Sequence, residues 1–300
     1  WGNIRGVISS NIPDMKLFEE GMYTSQATDV WGINDYQLFD EVHQQLNSLP
    51  ADQSFFTIVQ TAGFHRPYTI PEGHDDFQIE NLDGNRLSQL GFVSNEEYNS
   101  LRFSDFSLGH FMNLAKESKY FDNTLFVVIG DHGLPDLGAA HLSPGERFYH
   151  LTRFHVPLLM YHPHWGNPEF IDTLATEPDV LVSLASLTGH KTLVRNLGRD
   201  LWDPRFNQTR YAFHYVYYRS PPHIALLDDQ YYLLAEPSHI MGLFDVGGGN
   251  PEKDLQSQLP ERTQMMSDLT FGLYETARYL LYNNPNPLKT SPNLNAGHGH

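Results

Sequence analysis

Hydrophobic residues in the first two thirds of the chain alternate between strand-like runs and helix-like periodicity. Short apolar runs rich in aromatic and β-branched residues predict buried strands at residues 55–60, 124–130 and 156–161. Apolar positions at 3.6-residue spacing predict helices at residues 34–49, 98–115 and 177–187. Strands separated by connections of helix length are typical of a sheet covered by helices on both faces. We therefore predict an α/β fold with a mostly parallel central sheet.

The pattern changes after about residue 205. Short aromatic segments separated by turns occupy residues 211–218, 223–227 and 230–234, and they predict a small antiparallel sheet. A helix is expected from about residue 259 to 282. The predicted organisation is an α/β core over residues 1–205, an antiparallel subdomain with a terminal helix over 206–284, and a disordered tail over 285–300.

Composition and charge exclude several classes of protein. The chain has 36 acidic and 19 basic residues, a formal net charge of −17, so a nucleic-acid partner is not expected. The absence of cysteine excludes disulfides, thiolate metal sites and cysteine nucleophiles. Aromatic residues make up 13% of the chain, which argues against a disordered acidic protein.

No run of apolar residues is long enough to cross a membrane. The sequence opens at Trp1 without the features of a signal peptide. We therefore expect this chain to be a piece of a longer protein.

The sharpest local motif is Gly-Asp-His-Gly at residues 130–133, directly after the strongest predicted strand. Ligands of open α/β sheets bind beyond the carboxyl ends of strands. Asp131 and His132 would offer a carboxylate oxygen and an imidazole nitrogen there, both ligands of Zn²⁺ or Mn²⁺. The flanking glycines would let the backbone turn sharply and leave room for a substrate. The alternative interpretation is a polar turn that ends the strand.

Two further histidines follow the same strands. His65 lies just past the predicted strand at residues 55–60, and His141 lies nine residues after His132. If the strands are neighbours, both histidines converge with Asp131 and His132 on one edge of the sheet. The alternative is that they are surface loop residues, since the chain has 16 histidines.

At these residues the sequence resembles the sulfatase-like branch of the alkaline phosphatase superfamily. The segment 126–133 resembles its late metal-binding motif, and His65-Arg-Pro-Tyr resembles its His-x-Pro-Phe/Tyr substrate loop. Further similar segments follow in the family's order, at residues 177–181, 187–189, 198–201, 231–234, 242–245 and 250–255. The agreement in order and spacing extends from about residue 1 to 280.

Within that branch the likeness is greatest to phosphoglycerol transferases of the lipoteichoic acid synthase type. The segment from Trp1 to Arg5 resembles the part that contacts the phosphoglycerol head group, and residues 31–39 resemble the helix start that follows it. Phosphoethanolamine transferases share the Asp-His-Gly motif, but their soluble domains usually carry disulfides, and this chain has no cysteine.

The resemblance implies a set of site residues. Asp131 and His132 would bind a divalent metal, Mn²⁺ or Zn²⁺, with Mg²⁺ or Ca²⁺ as alternatives. His65 and His141 would be catalytic, and the substrate would be held by Trp1, Arg5, His65 and Arg66. The family's nucleophile and an early acidic ligand normally precede the segment at Trp1. We therefore expect the N-terminal part of the fold to be missing and this piece alone to be inactive.

The implied function is metal-dependent phosphoryl transfer through a covalent phospho-enzyme, by a full-length protein anchored at the extracytoplasmic face of a bacterial cytoplasmic membrane. Its substrate would be a lipid-linked or small phosphate or sulfate ester. A sulfatase or phosphatase of the same fold, and a non-catalytic binding module with a vestigial site, are the alternatives. The sequence leaves open which ester and acceptor are used, and the oligomeric state.

Overall fold

The computed structural model describes residues 4–12, 14–74, 76–134, 138–189, 194–207, 210–217 and 219–283. Its α-helices are α1 (Ile4–Asn11), α2 (Asp35–Ser48), α3 (Gly84–Leu90), α4 (Asn95–Lys116), α5 (Pro144–Phe148), α6 (Glu177–Leu187) and α7 (Pro260–Asn283). Its strands are β1 (Phe126–Ile129), β2 (Leu158–Tyr161), β3 (Ala212–Val216), β4 (His223–Leu227), β5 (Tyr231–Glu236) and β6 (His239–Asp245). No helix in these ranges is both long and apolar enough to span a lipid bilayer.

The chain divides into two compact units. The first consists of Trp1–Asn11, Ser143–Tyr149 and Glu169–His300, and the second of Ile12–Leu142 and His150–Pro168. The domain boundary expected near residue 205 stays a prediction. The tail expected to be disordered, at residues 285–300, lies outside the described residues.

The second unit is built on the packing of α2 against α4. Phe39 of α2 and Phe111 of α4 stack with their ring centroids 5.1 Å apart, and Ala115 is fully buried beside them. Phe126 of β1 packs on the same cluster. Both helices were predicted from apolar periodicity, and the structure confirms them with this face buried.

Side-chain caps set the N-termini of these helices. Asn34 accepts a hydrogen bond from the Gln37 N–H at the start of α2, and Ser94 accepts one from the Glu97 N–H at the start of α4. Each cap satisfies a backbone donor that has no partner inside the helix.

The two strands of the second unit pair differently from the prediction of a mostly parallel sheet. β1 and β2 are antiparallel, with Phe126 opposite Tyr161 and Ile129 opposite Leu158. The connection between them carries α5, a helix of 5 residues, rather than a helix that spans the length of a parallel crossover.

The prediction of a strand at residues 55–60 is wrong. This segment has no secondary structure, although Phe55 and Val59 pack on the core and the side chains between them are exposed. Its apolar run is typical of a strand, but a strand also requires a paired neighbour, and no described segment pairs with it.

The first unit contains the predicted antiparallel sheet. The strands lie in the order β3-β4-β5-β6, each antiparallel to the next. The turn from β4 to β5 is held by Asp228, whose carboxylate accepts from the backbone of Gln230 and Tyr231. α7 packs on β4 and β5 and completes a core that includes Ile224, Leu233 and Met266, each fully buried.

Candidate active site

Asp131 and His132 follow β1 in an exposed loop. Asp131 Oδ1 accepts a hydrogen bond of 2.9 Å from the His132 backbone N–H. The His132 Nδ1 atom lies 3.2 Å from the Gly133 carbonyl oxygen. The carboxylate and the imidazole of two adjacent residues are therefore both exposed, and both groups are ordinary ligands of divalent metals.

Gly130 and Gly133 hold this loop against the segment that leads into β2. A Cβ atom on Gly133 would lie 1.8 Å from the Thr152 carbonyl oxygen, and one on Gly130 would lie 2.9 Å from the Val156 Cβ atom. The Gly133 N–H also donates to the carbonyl oxygen of Arg153 at 2.9 Å. Neither glycine has a positive φ angle. The backbone bends at Asp131, and close approach to the neighbouring backbone, rather than a left-handed conformation, is what requires glycine on either side of it.

His65 lies in an exposed loop that Trp31 covers. The ring centroids of Trp31 and His65 are 4.0 Å apart, at an interplanar angle of 51°. The Trp31 indole N–H donates to the Arg66 carbonyl oxygen at 2.5 Å. The His65 Nδ1 atom lies 3.2 Å from that same carbonyl oxygen. The imidazole is thus held by a ring contact rather than left as an unsupported surface histidine.

The loop after His65 is fixed by its own backbone and by α4. The Arg66–Pro67 peptide is cis, and Tyr68 has φ 64°. The Tyr68 hydroxyl donates to Glu97 Oε1 at 2.8 Å, and Glu97 Oε2 accepts from the Val93 N–H at 2.8 Å. Burial, followed by the hydrogen bond to Glu97, raises the pKa of Tyr68. Tyr68 therefore stays a protonated donor at neutral pH.

His141 lies in a separate loop beside α3. It ends a single 3₁₀ turn, Ala139–His141, and its side chain is exposed. Gly138, with φ 73°, precedes that turn and donates its N–H to the Leu90 carbonyl oxygen at 2.8 Å. The loop is therefore anchored to the end of α3.

The residues predicted to bind substrate are only partly described. Trp1 lies outside the described residues. Arg5 is an exposed residue of α1 in the first compact unit, and its carbonyl oxygen accepts from the Ser9 hydroxyl at 2.6 Å. Arg66 is exposed beside His65 in the second unit.

His65, Asp131, His132 and His141 all belong to the second unit. Within the described residues, no group of three or more His, Asp or Glu side chains is arranged to hold a metal ion. Asp131 and His132 thus gain no third ligand there, and their assignment as metal ligands stays a prediction. Trp31 is not recognisable as a site residue from the sequence, because its contact with His65 joins residues more than thirty positions apart.

A family model described as Sulfatase matches residues 7–190. The chain belongs to the sulfatase family. The matched range includes all four predicted catalytic and metal-binding residues, although the match itself assigns no role to any of them.

Two of the proteins similar to this sulfatase-family chain are described as lipoteichoic acid synthases or as like them. It is 26% identical over 181 residues to the lipoteichoic acid synthase-like protein YvgJ of Bacillus subtilis, a match that covers 56% of this chain and 27% of YvgJ. An alkaline phosphatase superfamily protein from Vibrio parahaemolyticus matches with a TM-score of 0.63 and 24% identity, over 88% of this chain and 59% of that one. The lipoteichoic acid synthase LtaP of Listeria monocytogenes matches with a TM-score of 0.62 and 18% identity, over 87% and 62%.

These structures confirm the predicted α/β fold class, with its small antiparallel sheet and C-terminal helix. The chain spans about a quarter of the length of YvgJ and about three fifths of the two solved structures.

Proposed function

We propose that this chain is part of a metal-dependent transferase that moves a phosphoglycerol group through a covalent phospho-enzyme. The observation that carries the proposal is the exposed Asp131-His132 pair at the end of β1 in a sulfatase-family chain. The similarity to YvgJ and LtaP favours phosphoglycerol over other esters. The nucleophile would come from residues outside this chain.

Asp131 and His132 fit a divalent cation in the chemistry of their donor atoms, one carboxylate oxygen and one imidazole nitrogen. No third donor joins them within the described residues, so the remaining ligands would come from elsewhere in the whole protein. Such a cation, when bound, neutralises charge on phosphoryl oxygens and lowers the pKa of a coordinated hydroxyl.

The chain's other site residues would act on the substrate directly. His65 and His141 have exposed imidazoles, and an imidazole is a side chain that can donate a proton to a leaving oxygen. Arg66 carries a guanidinium group, which can pair with two phosphate oxygens at once. The substrate contacts of Trp1 and Arg5 stay predictions of the resemblance.

We propose that the whole protein works at the extracytoplasmic face of a bacterial membrane, held there by segments outside this chain. A lipid-linked phosphoglycerol donor would then reach the site from the membrane surface. The chain's net charge of −17 gives it no electrostatic attraction of its own to anionic lipid, so a covalent tether is the simpler means of holding it there.

The test is metal content of the full-length protein. We expect near-stoichiometric Mn²⁺ or Zn²⁺ in the wild type and loss of at least tenfold in affinity with Asp131→Ala, since a carboxylate ligand is removed. Asp122→Ala is the matched control, because Asp122 is an exposed aspartate just before β1. Calorimetry with each metal would provide the affinities.

Equal metal content in the wild type and Asp131→Ala would contradict the assignment. The 300-residue chain alone should bind metal weakly, because two ligands leave most of the coordination shell to water. Tight binding by this chain alone would mean that further ligands lie within it.

Hydrolysis of a sulfate or phosphate ester is the second candidate, favoured by the family model that matches residues 7–190. The two functions differ in the acceptor. A transferase should release the lipid from a phosphoglycerol lipid and pass the group to an added alcohol, whereas a hydrolase should turn over a soluble aryl sulfate or phosphate with water as the acceptor. A protein that binds metal but does neither would support a non-catalytic module.

A further inference from the structure

The segment that leads into α2 contacts the His65 loop on both sides of the histidine. Trp31 contacts the loop at His65 and Arg66, and Asp35, four residues later, contacts it at Ala62 and Gly63. The imidazole therefore lies between two attachments that both come from residues 31–35.

Asp35 is a buried carboxylate whose contacts are directed at this loop. Only 1% of its surface is exposed. Its Oδ1 atom accepts from the Ala62 and Gly63 backbone N–H groups at 3.1 and 2.9 Å, and its Oδ2 atom accepts from the Ser104 hydroxyl at 2.8 Å. Asp35 is also the first residue of α2, where the positive end of the helix dipole stabilises a negative charge.

Gly63 fits against Asp35 because it has no side chain. A Cβ atom on Gly63 would lie 2.5 Å from Asp35 Oδ2, so any other residue would displace the carboxylate. The Gly63 carbonyl oxygen accepts from the Ser100 hydroxyl of α4 at 2.7 Å. Both polar backbone groups of Gly63 are therefore bound, two residues before His65.

Trp31 is itself held in place by a tight turn. The Trp31 N–H donates to Asp29 Oδ1 at 2.8 Å, and Gly32 has φ 107°, a backbone conformation that favours glycine. The Thr28 N–H donates to the Gly32 carbonyl oxygen at 2.7 Å and closes the turn. The indole that covers His65 is thus fixed from its own backbone.

We infer that Asp35, supported by Ser100, is the positioning residue that holds the His65 imidazole against Trp31. A buried charge directed at backbone N–H groups fixes the loop more firmly than neutral contacts do, because charge-assisted hydrogen bonds are about twice as strong. The consequence for catalysis rests on the proposed function, in which His65 acts on the substrate.

The contact can be measured without any assay of activity. Protonated imidazole quenches indole fluorescence when the two rings touch, and histidine takes up a proton between about pH 8 and 5. In a full-length protein whose other tryptophans are replaced by Phe, Trp31 emission should fall in one step as the pH is lowered. His65→Gln should abolish that step.

The variants separate positioning from general stability. Asp35→Ala and Ser100→Ala should each reduce the amplitude of the step at least threefold. Asp35→Asn keeps an oxygen for the loop N–H groups and should retain more than half. Ser107→Ala is the matched control for Ser100, because Ser107 is a buried α4 serine whose hydroxyl donates within its own helix, to the Phe103 carbonyl oxygen. It should leave the step unchanged.

If Asp35→Ala and Ser100→Ala both keep the full fluorescence step and only lower the melting temperature, the inference is wrong.

Kinetic measurements on the same variants test the proposed function separately. If His65 acts in the reaction, Asp35→Ala should lower kcat about tenfold with KM nearly unchanged. Loss of the step with unaltered turnover would support the positioning role and contradict the part given to His65 in the proposed function.

Discussion

At the scale of single residues, Asp179 of α6 is a fully buried carboxylate with several hydrogen-bond donors. Its carboxylate accepts from the Arg199 backbone N–H at 2.6 Å and from the Arg199 guanidinium at 3.0 and 3.2 Å. Thr176 donates to it through both its backbone and its hydroxyl. The Arg199 guanidinium also lies 4.0 Å from the Tyr211 ring centroid. Two segments that the sequence analysis treated as separate family motifs thus meet in one buried ion pair.

Removal of Asp179 should strongly destabilise the protein. Asp179→Ala removes the carboxylate that pairs with the buried Arg199 guanidinium, and we expect a loss of about 3–5 kcal/mol in the free energy of unfolding. Glu275→Ala is the control, because its ion pair with Arg278 is exposed on α7 and should contribute less than about 1 kcal/mol. Urea denaturation of both variants gives the comparison, and similar losses in the two would contradict it.

At the scale of secondary-structure elements, what the sequence predicts well is local. The caps Asn34 and Ser94 and the 3.6-residue periodicity behind them lie within one helix, so α2 and α4 follow from the sequence alone. The pairing of β1 with β2 joins residues about thirty positions apart, and nothing within either strand specifies its orientation. The same reason explains residues 55–60, whose apolar run is typical of a strand but which pair with no segment among the described residues.

The candidate site also contains residues that the sequence reveals and residues that it does not. Asp131 and His132 are recognisable because they are adjacent and follow a strand. Asp35 is not recognisable as a site residue. An acidic residue in the first turn of a helix indicates only that the helix begins there, and the contact between Asp35 and Gly63 joins residues 28 positions apart. A glycine two residues before His65 was the available signal, but the sequence does not show what lies against it.

The β3–β6 sheet also contains a titratable group that should set its pH dependence. Burial lowers the pKa of His214, on β3, from 6.5 to about 4. Below about pH 6.5 the unfolded chain takes up a proton that the folded chain does not bind until about pH 4. This contribution to the free energy of unfolding is present above pH 6.5 and is lost as the pH falls through this window, by about 3 kcal/mol in all.

Replacing that histidine should remove this component of the acid sensitivity. Between pH 7 and pH 4.5 the wild type should lose about 2 kcal/mol more stability than His214→Gln, because only the wild type has this imidazole to protonate. His239→Gln is the control, since His239 is an exposed histidine on β6 of the same sheet. Urea titrations at the two pH values would show the difference, and parallel losses in wild type and His214→Gln would exclude it.

At the scale of the whole molecule, several large apolar side chains of the second unit are exposed. Phe56 and Ile58 are 65% and 64% exposed, and Leu159 of β2 is 60% exposed. Their neighbours in sequence, Phe55 and Val59, pack on the α2–α4 core. In an α/β fold both faces of the sheet are covered, so we expect these side chains to be buried in the whole protein. The solved relatives, of which this chain covers 59% and 62%, have further residues that could lie there.

This surface makes a prediction about the isolated chain. Residues 1–300 alone should bind the dye ANS and self-associate, because apolar side chains such as Phe56 and Leu159 are left in contact with water. The double substitution Phe56→Ser and Leu159→Ser should lower dye binding at least twofold while leaving the helical circular dichroism unchanged, since neither side chain belongs to the α2–α4 core. Phe170→Ser is the control, because Phe170 is 90% exposed but lies in the first unit.

In the full-length protein the same double substitution, Phe56→Ser with Leu159→Ser, should instead lower the free energy of unfolding by about 2 kcal/mol or more, because the two side chains are then buried. Equal behaviour of the double variant in the two proteins would show that nothing outside this chain covers the surface.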